Sequence, residues 1–196
     1  MRLTFTILAI TFATIQCLGQ GYGVHKTEIS IETDPTAFLM KGYSFHVRLK
    51  PASWGKVLLG VGTYGLDFPE MIADLNPDNR DEGWKPRIKT AYAMFGEYYF
   101  KEANNRWFIG EQIGVQNFRV KNDREQLSGS ADFSNVLLMT YVGYSWHPYK
   151  GAFYVKPWAG LGYTSRIDGI TTVGSLRYDV APLFPFFTFH LGYTFR

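Results

Sequence analysis

Ionisable side chains recur at every second position of several segments of this 196-residue chain. Because side chains of a β-strand alternate between two faces, this spacing gathers the charges on one face of each strand. Buried charges must be paired, so the set predicts a hydrogen-bonded ionic plug, with a narrow polar channel as the alternative. The predicted members are Glu28, Glu32, Glu97, His46, Arg48, Lys50, Arg87, Lys89, Lys156, Arg166 and His190.

Two serine–histidine pairs have the residue types of a nucleophile and its base. Ser44 precedes His46 by two residues, and Ser145 precedes His147 by two. This spacing puts each pair on one face of a strand, about 6.6 Å apart along it. A serine nucleophile needs its base within about 3 Å, so the spacing alone does not make a catalytic pair. We expect no catalytic residue and a non-enzymatic protein.

A third candidate is the oxygen-rich run Asp74, Asn76 and Asp78, which has calcium-like spacing. Its sixth position is Asn79 rather than glycine, and Lys85 stands at the twelfth, where a bidentate glutamate belongs. We therefore expect a solvated loop tied by Asx turns, with no metal site. The chain also lacks a phosphate-binding loop and a cysteine pair, so no cofactor is expected.

The first 19 residues have the outline of a secretory signal peptide. A short basic start is followed by an apolar run over residues 3–15, and small residues precede an expected cut after Gly19. Lipidation at Cys17 is disfavoured because Gln16 stands where a lipobox has a small residue. The predicted mature domain, residues 20–196, has no cysteine and is too evenly charged to suggest a nucleic-acid partner.

The last segment, residues 186–196, shows the organising pattern of the chain. Phe187, Phe189, Leu191, Tyr193 and Phe195 alternate with polar or small residues, and residues 42–50 repeat the pattern. A soluble barrel buries its apolar face and exposes charge. Here the charged faces also carry the glycines that a narrow lumen needs. The pattern favours apolar residues that face lipid. A soluble carrier of the lipocalin type is the alternative.

Eight such segments predict eight strands. They cover residues 24–33, 42–50, 56–66, 87–100, 106–120, 133–146, 153–167 and 186–196. Connections of about five residues alternate with the long polar loops 67–86, 121–132 and 169–185, as in outer-membrane barrels. Aromatic residues cluster beside the short turns, which predicts one interfacial girdle. Its members are Trp54, Trp107, Trp146, Tyr98, Phe100, Phe153 and Phe195.

Alternation also assigns faces on the third to fifth strands. On the third and fourth strands, Val57, Ile88 and Thr90 are predicted to face outward, and Arg87 and Lys89 inward. On the fifth strand, alternation puts the charged Glu111 on the lipid face, where charge is costly. Either a bulge shifts the register or the assignment slips. The apolar run 136–139 hides the two faces of the sixth strand.

Over residues 20–196 the chain resembles the small outer-membrane β-barrels of Gram-negative bacteria, which include OmpA-like, OmpX-like, OmpW-like and lipid A-modifying barrels. The residues 192–195, Gly-Tyr-Thr-Phe, look like the C-terminal signal read by the barrel assembly machinery. Gly-Tyr pairs at 42–43, 143–144 and 162–163 are also typical of such barrels. The resemblance implies an eight-stranded antiparallel up-and-down transmembrane β-barrel, a monomer in the cell outer membrane.

These observations predict a membrane scaffold or surface protein whose long loops contact lipopolysaccharide or an external partner. The expected partners are outer-membrane lipid, lipopolysaccharide and, during insertion, the assembly machinery. Two alternatives stay open: a narrow conduit for small solutes, and a lipid A-modifying enzyme of the Ser44–His46 or Ser145–His147 type.

Overall fold

The computed structural model describes residues 26–124, 129–149 and 151–195, so the predicted signal peptide, Cys17 and Arg196 lie outside the described residues. The elements are β1 (Glu28–Thr33), α1 (Pro35–Leu39), β2 (Tyr43–Lys50), β3 (Val57–Asp67), α2 (Glu70–Ala73), a 3₁₀ turn (Pro77–Asn79), β4 (Trp84–Tyr99), β5 (Arg106–Asn122), β6 (Ala131–Ser145), β7 (Phe153–Gly169), β8 (Thr172–Val173), β9 (Leu176–Arg177) and β10 (Leu183–Phe195). Among these residues, no helix is long and apolar enough to cross a bilayer.

Eight of the described strands close into a barrel in which each strand pairs with its neighbours along the chain. All the pairs are antiparallel, and β10 joins β7 on one side and β1 on the other. The closing pair sets Phe195 opposite Ile29 and Thr194 opposite Ser30. The predicted eight-stranded up-and-down barrel is therefore confirmed. Strands β8 and β9 form a separate small hairpin in the last long loop.

The strands on one side of the barrel are short: β1 and β2 have 6 and 8 residues, while β5 and β7 each have 17. Helix α1 lies at this side, beside the short strands. Asp34 caps its first turn by accepting from the Thr36 amide at 2.8 Å, and Pro35 begins the helix where its missing N–H costs nothing. The buried Ala37 turns into the barrel mouth. Gly42 must be glycine here, because a Cβ would overlap the carbonyl oxygen of Gly65.

The outer wall is apolar. Phe45, Tyr92, Leu161 and Phe189 are 50%, 63%, 51% and 36% exposed, and they lie on different parts of the ring. The soluble-carrier alternative needs these side chains in a dry centre, so that alternative is wrong. At the short-turn end, five members of the predicted girdle are exposed: Phe100, Trp107, Trp146, Phe153 and Phe195. Trp54 and Tyr98 are half-buried, and the Tyr98 ring is in edge contact with Phe100 at a centroid distance of 6.1 Å.

The faces of the early part of β4 differ from those predicted. The pairing register of β4 shifts between Ile88 and Thr90, which makes Lys89 an extra residue in the strand. A β-bulge of this kind reverses the parity of the residues before it. Ile88 consequently lies inside and is buried, whereas Arg87 and Lys89 lie outside. The prediction that the basic side chains of Arg87 and Lys89 lie in the lumen was wrong.

Strand β5 keeps a regular register. Its pairing with β6 runs without a break from Arg106 opposite Ser145 to Val120 opposite Ala131. Glu111 therefore does lie on the outer face, between Gly96 and Thr140, and the proposed bulge there is wrong. Strand β6 turns Leu137 and Met139 inward, which resolves the ambiguous run 136–139.

On strand β3, Val57 lies on the outward face beside Tyr98, its Cα partner, as predicted, although neighbouring groups bury it completely.

Candidate functional site

Five charged or titratable side chains from five different strands meet in the lower lumen, toward the short-turn end. Glu32 accepts from Arg48 Nε at 3.1 Å, from Lys156 Nζ at 2.5 Å and makes a 2.9 Å hydrogen bond with His190 Nδ1. Glu97 lies across the lumen and accepts from the same Lys156 at 3.1 Å. We call these five residues the ionic cluster. It links β1, β2, β4, β7 and β10.

The ionic cluster is sealed from solvent and balanced in charge. The side chains of Glu32, Glu97 and Lys156 are 0% exposed, and that of Arg48 is 2% exposed. Arg48 Nη1 lies 3.1 Å from Glu97 Oε1, without the alignment of a good hydrogen bond. Two carboxylates therefore face one guanidinium and one ammonium. Such pairing is what makes charge tolerable in a dry interior.

Aromatic side chains surround the ionic cluster. Tyr154 donates to Glu32 at 2.7 Å, and Tyr99 and Tyr141 donate to Glu97 at 2.9 and 3.2 Å. The guanidinium of Arg48 stacks over Phe95, 4.2 Å from the ring centroid, which is a cation–π contact. Sequence reasoning missed these inward rings except Tyr154. Alternation could have found Phe95 and Tyr99, which lie two residues on either side of Glu97.

Glycines make room for these side chains. A Cβ at Gly60 would lie 2.5 Å from Arg48 Cδ, and a Cβ at Gly192 would overlap the ring of Tyr154. The lumen is therefore narrow and filled, as expected for eight strands.

The eleven predicted interior charges fall into four places. Glu32, Glu97, Arg48, Lys156 and His190 form the ionic cluster, and His46 stacks on His190 with ring centroids 4.7 Å apart. Glu28 and Lys50 form a separate pair at 2.9 Å. Arg166 is exposed at the mouth, where its Nη1 donates to Thr171 at 3.2 Å. Arg87 and Lys89 lie outside, paired with Asp67 and Asp132.

The two serine–histidine pairs differ in geometry. Ser44 Oγ lies 2.7 Å from His46 Nε2, within reach of a nucleophile and its base. Both residues are buried, the Asp34 amide also donates to Ser44 Oγ at 3.1 Å, and His46 Nδ1 has no partner among the described residues. A Ser–His–acid triad has a carboxylate at that second nitrogen. The pair therefore lacks the group that would orient and stabilise an imidazolium.

Ser145 and His147, the second pair, have a different arrangement. Ser145 Oγ donates to Asn104 Oδ1 at 2.8 Å, and Asn104 Nδ2 donates to Thr194 Oγ1 at 3.2 Å. His147 instead contacts the Tyr154 ring, with centroids 5.5 Å apart. These contacts tie the turn after β4 to β6 and β10, which is a structural role.

Above the ionic cluster lies a small, mainly apolar chamber of about 70 Å³. His46 and His190 line it together with Phe95, Trp158 and Phe186. A separate apolar core, which we call the upper core, adjoins the chamber through Ile88 and lies mainly on the inner faces of β4, β5 and β6. The members of that core include Trp84, Ile88, Phe118, Phe133, Val173 and Tyr178.

Residues 170–182, which we call the lid, fold over the barrel mouth. They include β8 and β9, and they bring Val173 and Tyr178 into the upper core. Asn79 fixes the lid from the opposite loop: its Nδ2 donates to the Asp179 carbonyl at 2.7 Å, and its Oδ1 accepts from the Asp179 amide at 3.2 Å. Burial raises the pKa of the Tyr178 hydroxyl well above its ordinary value, and the charges of Asp74 and Asp179 act in the same direction.

The calcium-like run is organised by local hydrogen bonds. Asn76 Oδ1 accepts from the Asp78 amide at 3.1 Å, which is the predicted Asx turn, and Asn76 Nδ2 donates to the Asp179 carbonyl at 2.9 Å. Within the described residues, no group of three or more His, Cys, Asp or Glu side chains is arranged to hold a metal ion.

Together these features define the class of protein: a closed eight-stranded antiparallel barrel with an apolar outside and an interior filled at two levels. One solved structure with a similar fold is the N-terminal β-barrel domain of OprF from Pseudomonas aeruginosa. The match has 11% sequence identity and a TM-score of 0.41, and it covers 86% of this chain and 96% of that chain. No family model matches the sequence, and no curated protein matches it.

Proposed function

We propose that this protein is a non-enzymatic outer-membrane barrel, a membrane-spanning scaffold whose long-loop end contacts lipopolysaccharide or an external partner. The observation that carries the proposal is the inverted polarity of the barrel. Large apolar side chains cover the outside, while the ionic cluster is sealed within. In water such a surface would aggregate; against acyl chains it is stable.

The interior supports a scaffold over a conduit. The ionic cluster spans the lumen between β1 and β4, and the lid with the upper core fills the mouth. A conduit needs a continuous path of water, and a lumen filled with side chains at two levels does not offer one.

One observation favours the competing enzyme hypothesis, namely the 2.7 Å contact between Ser44 and His46. A lipid A-modifying hydrolase should release acyl chains from lipopolysaccharide and lose that activity in Ser44→Ala. We expect instead that overexpression of the wild-type protein leaves the mass of lipid A unchanged. A mass shift that Ser44→Ala abolishes would replace the scaffold proposal with the hydrolase.

The proposal is tested by fractionating cells that express the chain and by running the membrane fraction on gels with and without boiling. A folded barrel resists detergent, so the unboiled protein should migrate differently from the boiled one. Protein in the soluble fraction, with mobility unchanged by boiling, would reject the membrane location. Val61→Arg, which puts a charge at a site 54% exposed on the apolar wall, should reduce the folded fraction.

A further inference from the structure

The outer wall is not uniform at the long-loop end. On the side of β4 and β5, basic side chains point outward just beyond the apolar wall, and we call them the cationic wall: Lys85, Arg87, Lys89, Arg119 and Lys121. On the side of β7, β10 and α1, the same end carries exposed apolar residues: Phe38, Leu39, Ile167, Ile170 and Leu183. Outward-pointing basic residues of the strands are therefore concentrated on the β4–β5 side, whereas Lys41 and Arg166 are single exposed cations elsewhere at this end.

Acidic partners only partly neutralise the cationic wall. Lys85 pairs with Asp123, and Arg87 Nη1 lies 2.5 Å from Asp67 Oδ1. Lys89 and Arg119 share one carboxylate, Asp132, at 3.1 and 2.7 Å.

Within the described residues, Lys121 is exposed and has no ion-pair partner. The other four cations of the cationic wall are thus paired with three acids: Asp67, Asp123 and Asp132. Glu70 and Asp74 of the neighbouring loop line the same cleft, of about 710 Å³, as Lys85, Arg87, Arg119 and Lys121.

Directly below the cationic wall, an apolar groove of about 610 Å³ runs along the outside of β2 to β6. Its lining includes Phe45, Val61, Tyr92, Met94, Ile113 and Val115. A single row of small polar side chains separates the groove from the charges. That row consists of Thr90, Asn117 and Ser134, which are paired across β4, β5 and β6, with Ser134 Oγ donating to Asn117 Oδ1 at 2.8 Å.

The order of charge, small polar row and apolar groove along one wall matches an amphiphile with an anionic head. We propose that the β3–β6 wall docks a phosphorylated, acylated glycolipid of the outer leaflet, with its phosphate on Lys89, Arg119 and Lys121 and its acyl chains in the groove. This inference rests on the proposed outer-membrane location. Arginine and lysine are the side chains suited to phosphate, and a phosphate would compete with Asp132 for two of them.

The test uses the folded chain in detergent micelles that contain hexa-acylated lipid A, with retained lipid counted by native mass spectrometry. Wild type should retain lipid A in preference to a zwitterionic phospholipid. Lys89→Gln with Lys121→Gln should weaken retention about tenfold or more, since each cation near an anionic surface contributes to binding. Lys101→Gln, at the exposed short-turn end, is the matched control and should change nothing.

Asp132→Asn makes the test sharper, because it releases two cations from their shared acid. Docking of a phosphate predicts stronger retention in this variant, whereas a purely structural ion pair predicts no gain. Lipid A from which the phosphates have been removed should show no preference. Equal retention by wild type, the double variant and Asp132→Asn would overturn the inference, even if fractionation places the protein in the outer membrane.

Discussion

At the residue scale, Lys156 holds the ionic cluster together because it contacts both buried carboxylates. Lys156→Met leaves one excess negative charge in a dry lumen, and we expect it to lower the free energy of unfolding by about 3–5 kcal/mol. Urea unfolding in lipid vesicles, followed by tryptophan fluorescence, measures this. Adding Glu97→Gln should restore part of the loss, because the Glu32–Arg48 pair is then balanced. A loss no larger than that of the exposed control Lys101→Met would contradict the prediction.

Replacing Glu111 should stabilise the fold, in contrast to replacing Lys156. Glu111 lies on the outer face beside Gly96, whose missing side chain leaves open space around it. A carboxyl group facing acyl chains is unfavourable, though less so than a basic group. Glu111→Leu should therefore raise the free energy of unfolding in vesicles by about 1 kcal/mol. The control Thr140→Leu adds apolar area to the same row without removing a charge. Destabilisation by Glu111→Leu alone would mean that the carboxyl group has a polar partner on the outer wall.

At the element scale, the lid depends on Asn79. This side chain is fully buried and bonds both backbone groups of Asp179. Asn79→Ala should cost about 1–3 kcal/mol locally, because it leaves those groups unsatisfied. Hydrogen exchange should therefore become faster in residues 170–182 while the barrel strands stay protected. The control Asp78→Ala changes a neighbouring exposed residue and should leave exchange in the lid as it is in wild type.

Tyr178 should make the lid sensitive to alkaline pH. Its pKa in the fold lies above the unfolded value of about 10, so the stabilising contribution is complete below pH 10 and decreases as pH rises further. Cleavage of the lid by a protease active in alkali should increase more above pH 10 in wild type than in Tyr178→Phe, which keeps the ring in the upper core. If both proteins respond alike, the sensitivity does not come from Tyr178.

The elements also show how far the sequence predicts this fold. Alternation assigned both faces of β2 and most of β7, because each face there has one chemical character. It failed at Arg87, Ile88 and Lys89, since a single bulged residue changes parity without a signature in composition.

For the ionic cluster, the sequence predicted the members but not how they pair. The sequence predicted that Glu32 and Lys156 share the lumen. Which cation meets which carboxylate depends on the pairing register of all the strands around the ring. Glu32 and Lys156 are 124 residues apart in the sequence, and no local pattern encodes a contact over that distance. The folding of the lid onto Asn79 depends on the same kind of distant contact.

At the scale of the whole molecule, the two filled levels of the lumen make a prediction about transport. Wild-type protein in a planar bilayer should give no stepwise conductance, because the lid and upper core fill the mouth and the ionic cluster fills the lumen below them. A variant whose lid is replaced by a short Gly-Ser linker should also stay silent, since the ionic cluster remains. Steps in wild type would favour the solute conduit. Steps only in the lid variant would mean that the ionic cluster alone does not close the barrel.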